Sequence, residues 1–199
     1  MKLYGTTTSP FVRRVRVVAA EIGLPFDRID TAPEAGQAEL QRISPIRKVP
    51  IAVIDGRTIY DSHAIIDYLT TTRGWADLAP ARDRWEEQNV INAIDVALDS
   101  AIQLFYLRRD GVAVDGTPYE KRQVERIDAI AGWLGKHLAP GGTYFSCSGG
   151  FGLAELALVT TLDWMDFRKT YPTERAAGVD SVRAAWRERS SLASTRPHT

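Results

Sequence analysis

The chain has 199 residues, 44% hydrophobic and 25% charged, with 25 basic side chains against 25 acidic ones. That length suits one large domain or two small ones, and the even charge gives no electrostatic basis for a nucleic acid or an anionic membrane as partner. The single cysteine, Cys147, excludes an internal disulfide framework and fits a reducing cytoplasm, and no run approaches the ~20 apolar residues that span a bilayer.

In chain order, residues 2–5 read as a first strand, with no apolar leader before it. Val12, Val15, Val18, Ala19 and Ile22 recur at helical spacing. Gly23 and Pro25 then supply the usual stop chemistry. Residues 26–29 read as a second strand and 35–42 as a short, weakly patterned helix. Residues 51–54 are apolar and mostly β-branched, as in an interior strand, and Pro50 opens that strand where a missing donor is tolerated. Asp55-Gly56 is a strong signal for a type I′ turn, so residues 57–60 should return antiparallel. A helix over 62–72 follows, capped by Asp61 or Ser62, with Ile65, Ile66 and Leu69 facing a core. The predicted order of the first domain, residues 1–75, is β-α-β-α-β-β-α.

Residues 76–83 read as a linker and 84–199 as an all-helical bundle. Val90, Ile91, Ile94, Leu98, Ile102 and Phe105 form one apolar stripe, and Val124, Ile127, Ala131, Leu134 and Leu138 another. Residues 153–167 are apolar enough to be the buried central helix. Residues 181–189 read as a last short helix, followed by a polar tail ordered by packing on the rest.

Two segments carry candidate chemistry. Asp61-Ser62 sits at a helix start, behind two strands and close to a Val49-Pro50 step, an arrangement suited to a small peptide ligand. A cis Val49–Pro50 bond would turn the Val49 N–H and C=O outward to pair with an extended peptide, but fewer than ~10% of X–Pro bonds in folded proteins are cis. Ser9 stands between the first strand and the first helix, with Pro10 at the first helical turn. Its hydroxyl can be simply an N-cap, or it can donate to a bound thiolate and lower that thiol's pKa. His63, His137 and His198 show no metal-ligand spacing, and Cys147 lacks a Cys-x-x-Cys partner, so neither a metal site nor disulfide exchange is indicated. Trp85, Trp133, Trp164 and Trp186 read as core and groove aromatics.

Ser-Pro-Phe-Val-Arg-Arg-Val-Arg at 9–16, Ser-Pro-Ile-Arg-Lys-Val-Pro at 44–50 and Asp-Ser-His-Ala-Ile-Ile-Asp-Tyr-Leu at 61–69 together resemble the glutathione-binding half of a glutathione S-transferase. Phe-Gly-Leu-Ala-Glu-Leu-Ala at 151–157 and Trp-Met-Asp-Phe-Arg at 164–168 resemble its helical half. The resemblance covers nearly the whole chain and is nearest to bacterial members with serine at the reactive position.

It implies an α/β thioredoxin-like domain followed by a helical bundle that offers a cleft for the acceptor substrate. It implies a cytoplasmic detoxification enzyme, a homodimer, that activates glutathione as co-substrate for attack on a small hydrophobic electrophile. No cofactor is expected, nor any metal, nucleic-acid or membrane partner. Ser9 would face the sulfur, with Phe11 nearby. Val49, before Pro50, would pair with the cysteinyl backbone, and Asp61 and Ser62 would hold the γ-glutamyl end. Lys48 would attract the glycyl carboxylate. Phe105, Tyr106 and Arg109, with neighbouring Arg108, would line the acceptor pocket. The dimer contacts would fall near residues 63–67 and on the long helix that begins near Trp85.

Three positions depart from the family pattern. Asp61 stands where Glu is frequent, Arg47 where glycine is frequent, and Gly152 where Ser or Thr caps a helix. The alternative reading is a non-catalytic glutathione-binding or protein-interaction module of the same fold.

Overall fold

The computed structural model describes residues 1–198. It divides into two compact units, Met1–Leu78 joined by the chain from Arg189 onward, and Ala79–Glu188.

The first unit is a thioredoxin-like α/β domain. Its elements are β1 (Lys2–Tyr4), α1 (Pro10–Glu21), β2 (Asp27–Ile29), α2 (Glu34–Ile43), β3 (Ile51–Ile54), β4 (Arg57–Tyr60) and α3 (Ser62–Arg73). The sheet order is β2-β1-β3-β4, with β1 parallel to β2 and antiparallel to β3, and β3 antiparallel to β4. Ile29, Tyr4, Ile51 and Tyr60 lie in one row across it. The predicted hairpin forms because Asp55 and Gly56 both take positive φ, 51° and 74°, as a type I′ turn requires. Helix α1 buries Val12, Val15, Val18 and Ala19 and ends before Gly23 at φ 65°.

The sequence reading carried the helical domain to residue 199. The chain instead returns at Arg189 to the first unit. The reason is a set of polar clamps on α1 that hydrophobic periodicity does not reveal. The Arg189 guanidinium donates to both Glu21 carboxylate oxygens at 2.6 and 2.7 Å, and Ser191 donates to Glu21 as well. Burial alone would raise the Glu21 pKa, but Arg189 and Ser191 outweigh it and hold the carboxyl below its ordinary value. The short helix α8 (Ser190–Ala193) buries Leu192 completely. The buried Arg13 donates to the Leu192 carbonyl at 3.0 Å and to the Thr195 hydroxyl at 3.4 Å.

The second unit contains α4 (Arg84–Arg109), α5 (Pro118–Gly135), α6 (Leu153–Arg168), a 3₁₀ turn over Thr173–Ala176 and α7 (Ala177–Trp186). Helix α4 packs on both α5 and α6. It contains an 18-residue window of mean hydropathy 1.4, long and apolar enough on composition alone to cross a membrane, and here it is a core helix of the bundle. Two boundaries differ from the sequence reading. Helix α5 stops at Gly135, and Leu138 instead pairs with Phe145 in an isolated β-bridge. The last helix of this unit lies at 177–186, earlier than the predicted 181–189.

Helix α6 buries eleven of its 16 residues, including all nine from Ala154 to Leu162. Gly152 is its N-cap and offers no side-chain oxygen, and the Glu155 carboxylate gathers the donors around this helix start instead. Glu155 accepts the N–H groups of Gly152 and Phe145, each at 2.8 Å, and the Ser148 hydroxyl at 3.1 Å. Glu87, from α4, is buried against the same helix start, and its Oε1 has no hydrogen-bond partner among the described residues. A Cβ on Gly152 would lie 2.7 Å from the Ala79 carbonyl oxygen, so this close approach requires glycine.

Candidate functional site

The register of the sheet gathers three loops at one end. Tyr4 closes β1, Ile51 opens β3 and Tyr60 closes β4, all in one row. The Gly5–Ser9 connection, the Val49–Pro50 step and Asp61–Ser62 therefore emerge together. Helices α1 and α3 both start from this end, and their first N–H groups present partial positive charge there.

Ser9 is the N-cap of α1, in extended backbone, and its oxygen accepts the Val12 N–H at 3.3 Å. A serine hydroxyl has one proton to donate in addition to its acceptor lone pairs. The Ser9 proton has no acceptor among the described residues. Phe11, half-buried, packs its ring under the Arg14 guanidinium at 5.2 Å.

The Val49–Pro50 bond is cis. Pro50 is buried, and Val49 packs its side chain against Tyr4, Leu40 and Ile51. Among the described residues, neither the N–H nor the C=O of Val49 has a hydrogen-bond partner. Lys48 beside it is exposed. Arg47 has φ 54°, in the left-handed region that favours glycine.

Asp61 caps α3, accepting the His63 N–H at 2.8 Å, with φ 72° and ψ 142°. That backbone region is sparsely populated for a residue with a side chain, and such residues cluster at functional sites. Ser62 begins α3 and is 2% exposed, and its hydroxyl has no partner among the described residues. Ser9, Val49, Pro50 and Ser62 thus lie at one end of the sheet, where unpaired backbone and hydroxyl groups stand beside two helix N-termini.

The three acceptor-pocket candidates lie in the second unit, on the last turns of α4. Tyr106 is 49% exposed, and its ring centroid is 5.5 Å from that of Phe105. Phe105 meets the edge of Trp164 from α6 at 5.8 Å. Arg109 lies over the Tyr106 ring at 4.6 Å and pairs with Asp110 at 2.7 Å. Arg108 turns away to Asp115 and Glu120. Sequence reasoning missed Phe167 and Arg168, which complete this aromatic surface. The Arg168 guanidinium sits 4.8 Å from the ring centroids of both Phe105 and Phe167. The i, i+4 spacing of Trp164 and Arg168 on the central helix was the available signal.

Two other expectations resolve simply. Cys147 is 1% exposed, and burial pushes its thiol up to about 12, so it is a packed side chain with no thiolate to offer. Trp85 is 76% exposed and is neither a core nor a groove residue within its unit.

Comparison with known proteins gives the same picture over nearly the whole length. The family model described as glutathione S-transferase, N-terminal domain, matches residues 3–76, and that for the C-terminal domain matches residues 79–192. An uncharacterized GST-like protein, YibF of Escherichia coli (strain K12), is 28% identical over 179 residues, covering 86% of this chain and 85% of its own. Among solved structures, a glutathione S-transferase from Methylobacterium radiotolerans in complex with glutathione sulfonate superposes with TM-score 0.81 at 22% identity, covering 100% of this chain and 95% of that one. One from Methylobacillus flagellatus with glutathione bound gives 0.81 at 23% identity, covering 99% of each chain. At those identities, the superpositions speak for the fold.

Proposed function

Because the chain belongs to the glutathione S-transferase family, we propose that it is a serine-type member that activates glutathione for attack on a small hydrophobic electrophile. The observation that carries this reading is the free O–H of Ser9 at the end of the sheet where Val49 and Ser62 also lie. The Val12 N–H occupies an acceptor position of that oxygen, and the proton remains for a bound thiolate. A hydrogen bond to the charged sulfur favours the thiolate, and the N-terminus of α1 adds to it. Glutathione loses its thiol proton to solvent, and the sulfur lone pair attacks the electrophile.

The rest of this end of the sheet suits the tripeptide. Val49 offers its unpaired N–H and C=O to the cysteinyl backbone as an added strand. Ser62 offers hydroxyl and N–H to the γ-glutamyl α-carboxylate at the start of α3. Asp61, exposed, answers the α-ammonium, and Lys48 draws the glycyl carboxylate. Phe11 borders the sulfur. Phe105, Tyr106 and Arg109 belong to the surface that receives the electrophile. A homodimer fits the open groove of about 400 Å³ between β4 and α3, lined by Arg57, Ile59, Asp67 and Tyr68. Cytoplasmic detoxification chemistry is the matching role.

Glutathione conjugation rates with a chloronitrobenzene electrophile test this reading. Ser9→Ala should lower kcat/KM by ~10-fold or more, the loss of one hydrogen bond to a charged group. An unchanged rate, or no conjugation by the unaltered protein, would overturn it. Bound but unreacted glutathione would point to the binding-module alternative.

A further inference from the structure

Arg168 ends the central helix and is set apart from the arginines around it. Arg108, Arg109, Arg175 and Arg183 each pair with a carboxylate: Asp115 and Glu120, Asp110, Asp128, and Asp166 with Asp180. Arg168 has no hydrogen-bond or ion partner among the described residues. Its Nε is buried, and its guanidinium carbon lies over the Phe105 and Phe167 rings at 4.8 Å from each centroid.

The negative end of the α6 dipole and the two ring faces make the cation tolerable in this place. They satisfy none of its N–H donors. Contact with two rings and a buried Nε restrict the side chain, which removes part of the ordering cost of binding a flat anion. A planar fork of unpaired donors beside aromatic rings matches a carboxylate on an aromatic or otherwise flat, apolar body.

We propose that Arg168 is a specificity-determining residue that selects electrophiles carrying a carboxylate. This deepens the transferase reading and rests on it for the reaction, though not for the binding. The apolar body of the substrate lies against Phe105 and Tyr106, and its carboxylate takes the Arg168 donors. In a matched substrate, 4-chloro-3,5-dinitrobenzoate, the glutathione sulfur forms the new C–S bond at the chlorine-bearing carbon. Chloride leaves with the bonding pair, and the thiol proton passes to solvent.

Binding is measured first, by quenching of tryptophan emission with unreactive 3,5-dinitrobenzoate and its methyl ester, with S-methylglutathione saturating its own site. The unaltered protein should bind the acid at least ~10-fold more tightly than the ester, as expected for one charge-assisted pair. Arg168→Gln should abolish that preference, and Arg168→Lys, which keeps the charge without the fork, should restore part of it. Equal binding of acid and ester, failure of the acid to bind, or a preference that survives in Arg168→Gln overturns the proposal. Turnover of 4-chloro-3,5-dinitrobenzoate against its methyl ester separates the two readings. Acid preference in binding with no conjugate from either compound leaves Arg168 as an anion selector and removes the transferase reading. Conjugation of both without acid preference does the reverse.

Discussion

Ser9 and Ser62 stand in the same local setting, and the proposed function gives them opposite ends of one ligand. Both stand at helix starts, but Ser9 sits beside the proposed sulfur position and Ser62 beside the proposed γ-glutamyl carboxylate. Their substitutions should therefore separate kinetically. Ser62→Ala is expected to raise KM for glutathione by roughly 10–100-fold through the loss of a bond to a charged group, while Ser9→Ala acts on kcat. Initial rates against glutathione concentration check this, and a Ser62→Ala enzyme of normal KM would remove that residue from the site. These serines were legible in the sequence because capping is a local matter: a small polar residue, a turn and a helix lie within a few positions. Glu87 was not legible, because the helix start it is buried against lies far away in sequence, and Arg168 only in part, because Phe167 precedes it but Phe105 comes from α4. Arg47 lies between these cases. Its departure from glycine was visible, and its left-handed φ of 54° gives the reason. Arg47→Gly should relieve the ~1–2 kcal/mol cost of that conformation, less the ~0.5–1 kcal/mol of extra chain entropy that glycine loses on folding. A small rise in unfolding free energy is the expected result, and a clear fall would contradict it.

At the scale of elements, periodicity located every strand and the major helices, and it failed where ends are set by tertiary partners. Leu138 continued an apolar stripe, yet it pairs with Phe145 beyond the end of α5. The tail from Arg189 looked like an appendage of the bundle, yet Glu21 and Arg13 claim it for α1. The start of α6 is the clearest instance. The missing cap oxygen at Gly152 was visible in the sequence, but the buried Glu87 carboxylate that α4 brings to the same place was not. Gly152→Ala should drive a Cβ against the Ala79 carbonyl oxygen, where backbone has little room to move. A loss of about 1–3 kcal/mol in urea unfolding is expected, as for overpacked sites generally. A neutral effect would mean that the α6 start is looser than its geometry indicates.

At the scale of the molecule, the buried Glu87–Glu155 pair links stability to pH. Burial and then the nearby Glu155 carboxylate push the Glu87 carboxyl up to about 7, against an ordinary value of 4.5. Burial raises Glu155 too, although the N–H groups of Phe145 and Gly152 oppose the shift. With the folded pKa above the unfolded one, the folded state holds more protons across that window, so unfolding free energy falls as pH rises from about 4.5 to about 7. Glu87→Gln, which keeps an acceptor oxygen without a titrating group, should flatten this slope in urea unfolding at a series of pH values. An unchanged slope would place the titration elsewhere. The family and the two-unit plan follow from the whole chain.

In the proposed function, Ser9 stabilises a glutathione thiolate. The most direct measurement is the pH titration of protein-bound glutathione, read by thiolate ultraviolet absorbance, for the unaltered protein and Ser9→Ala. A bound thiol roughly 1–2 pKa units below free glutathione, the equivalent of one hydrogen bond to a charged group, with a return toward the free value in Ser9→Ala, is the predicted result. A bound thiol that titrates like free glutathione, or a lowered value that Ser9→Ala leaves in place, would contradict it.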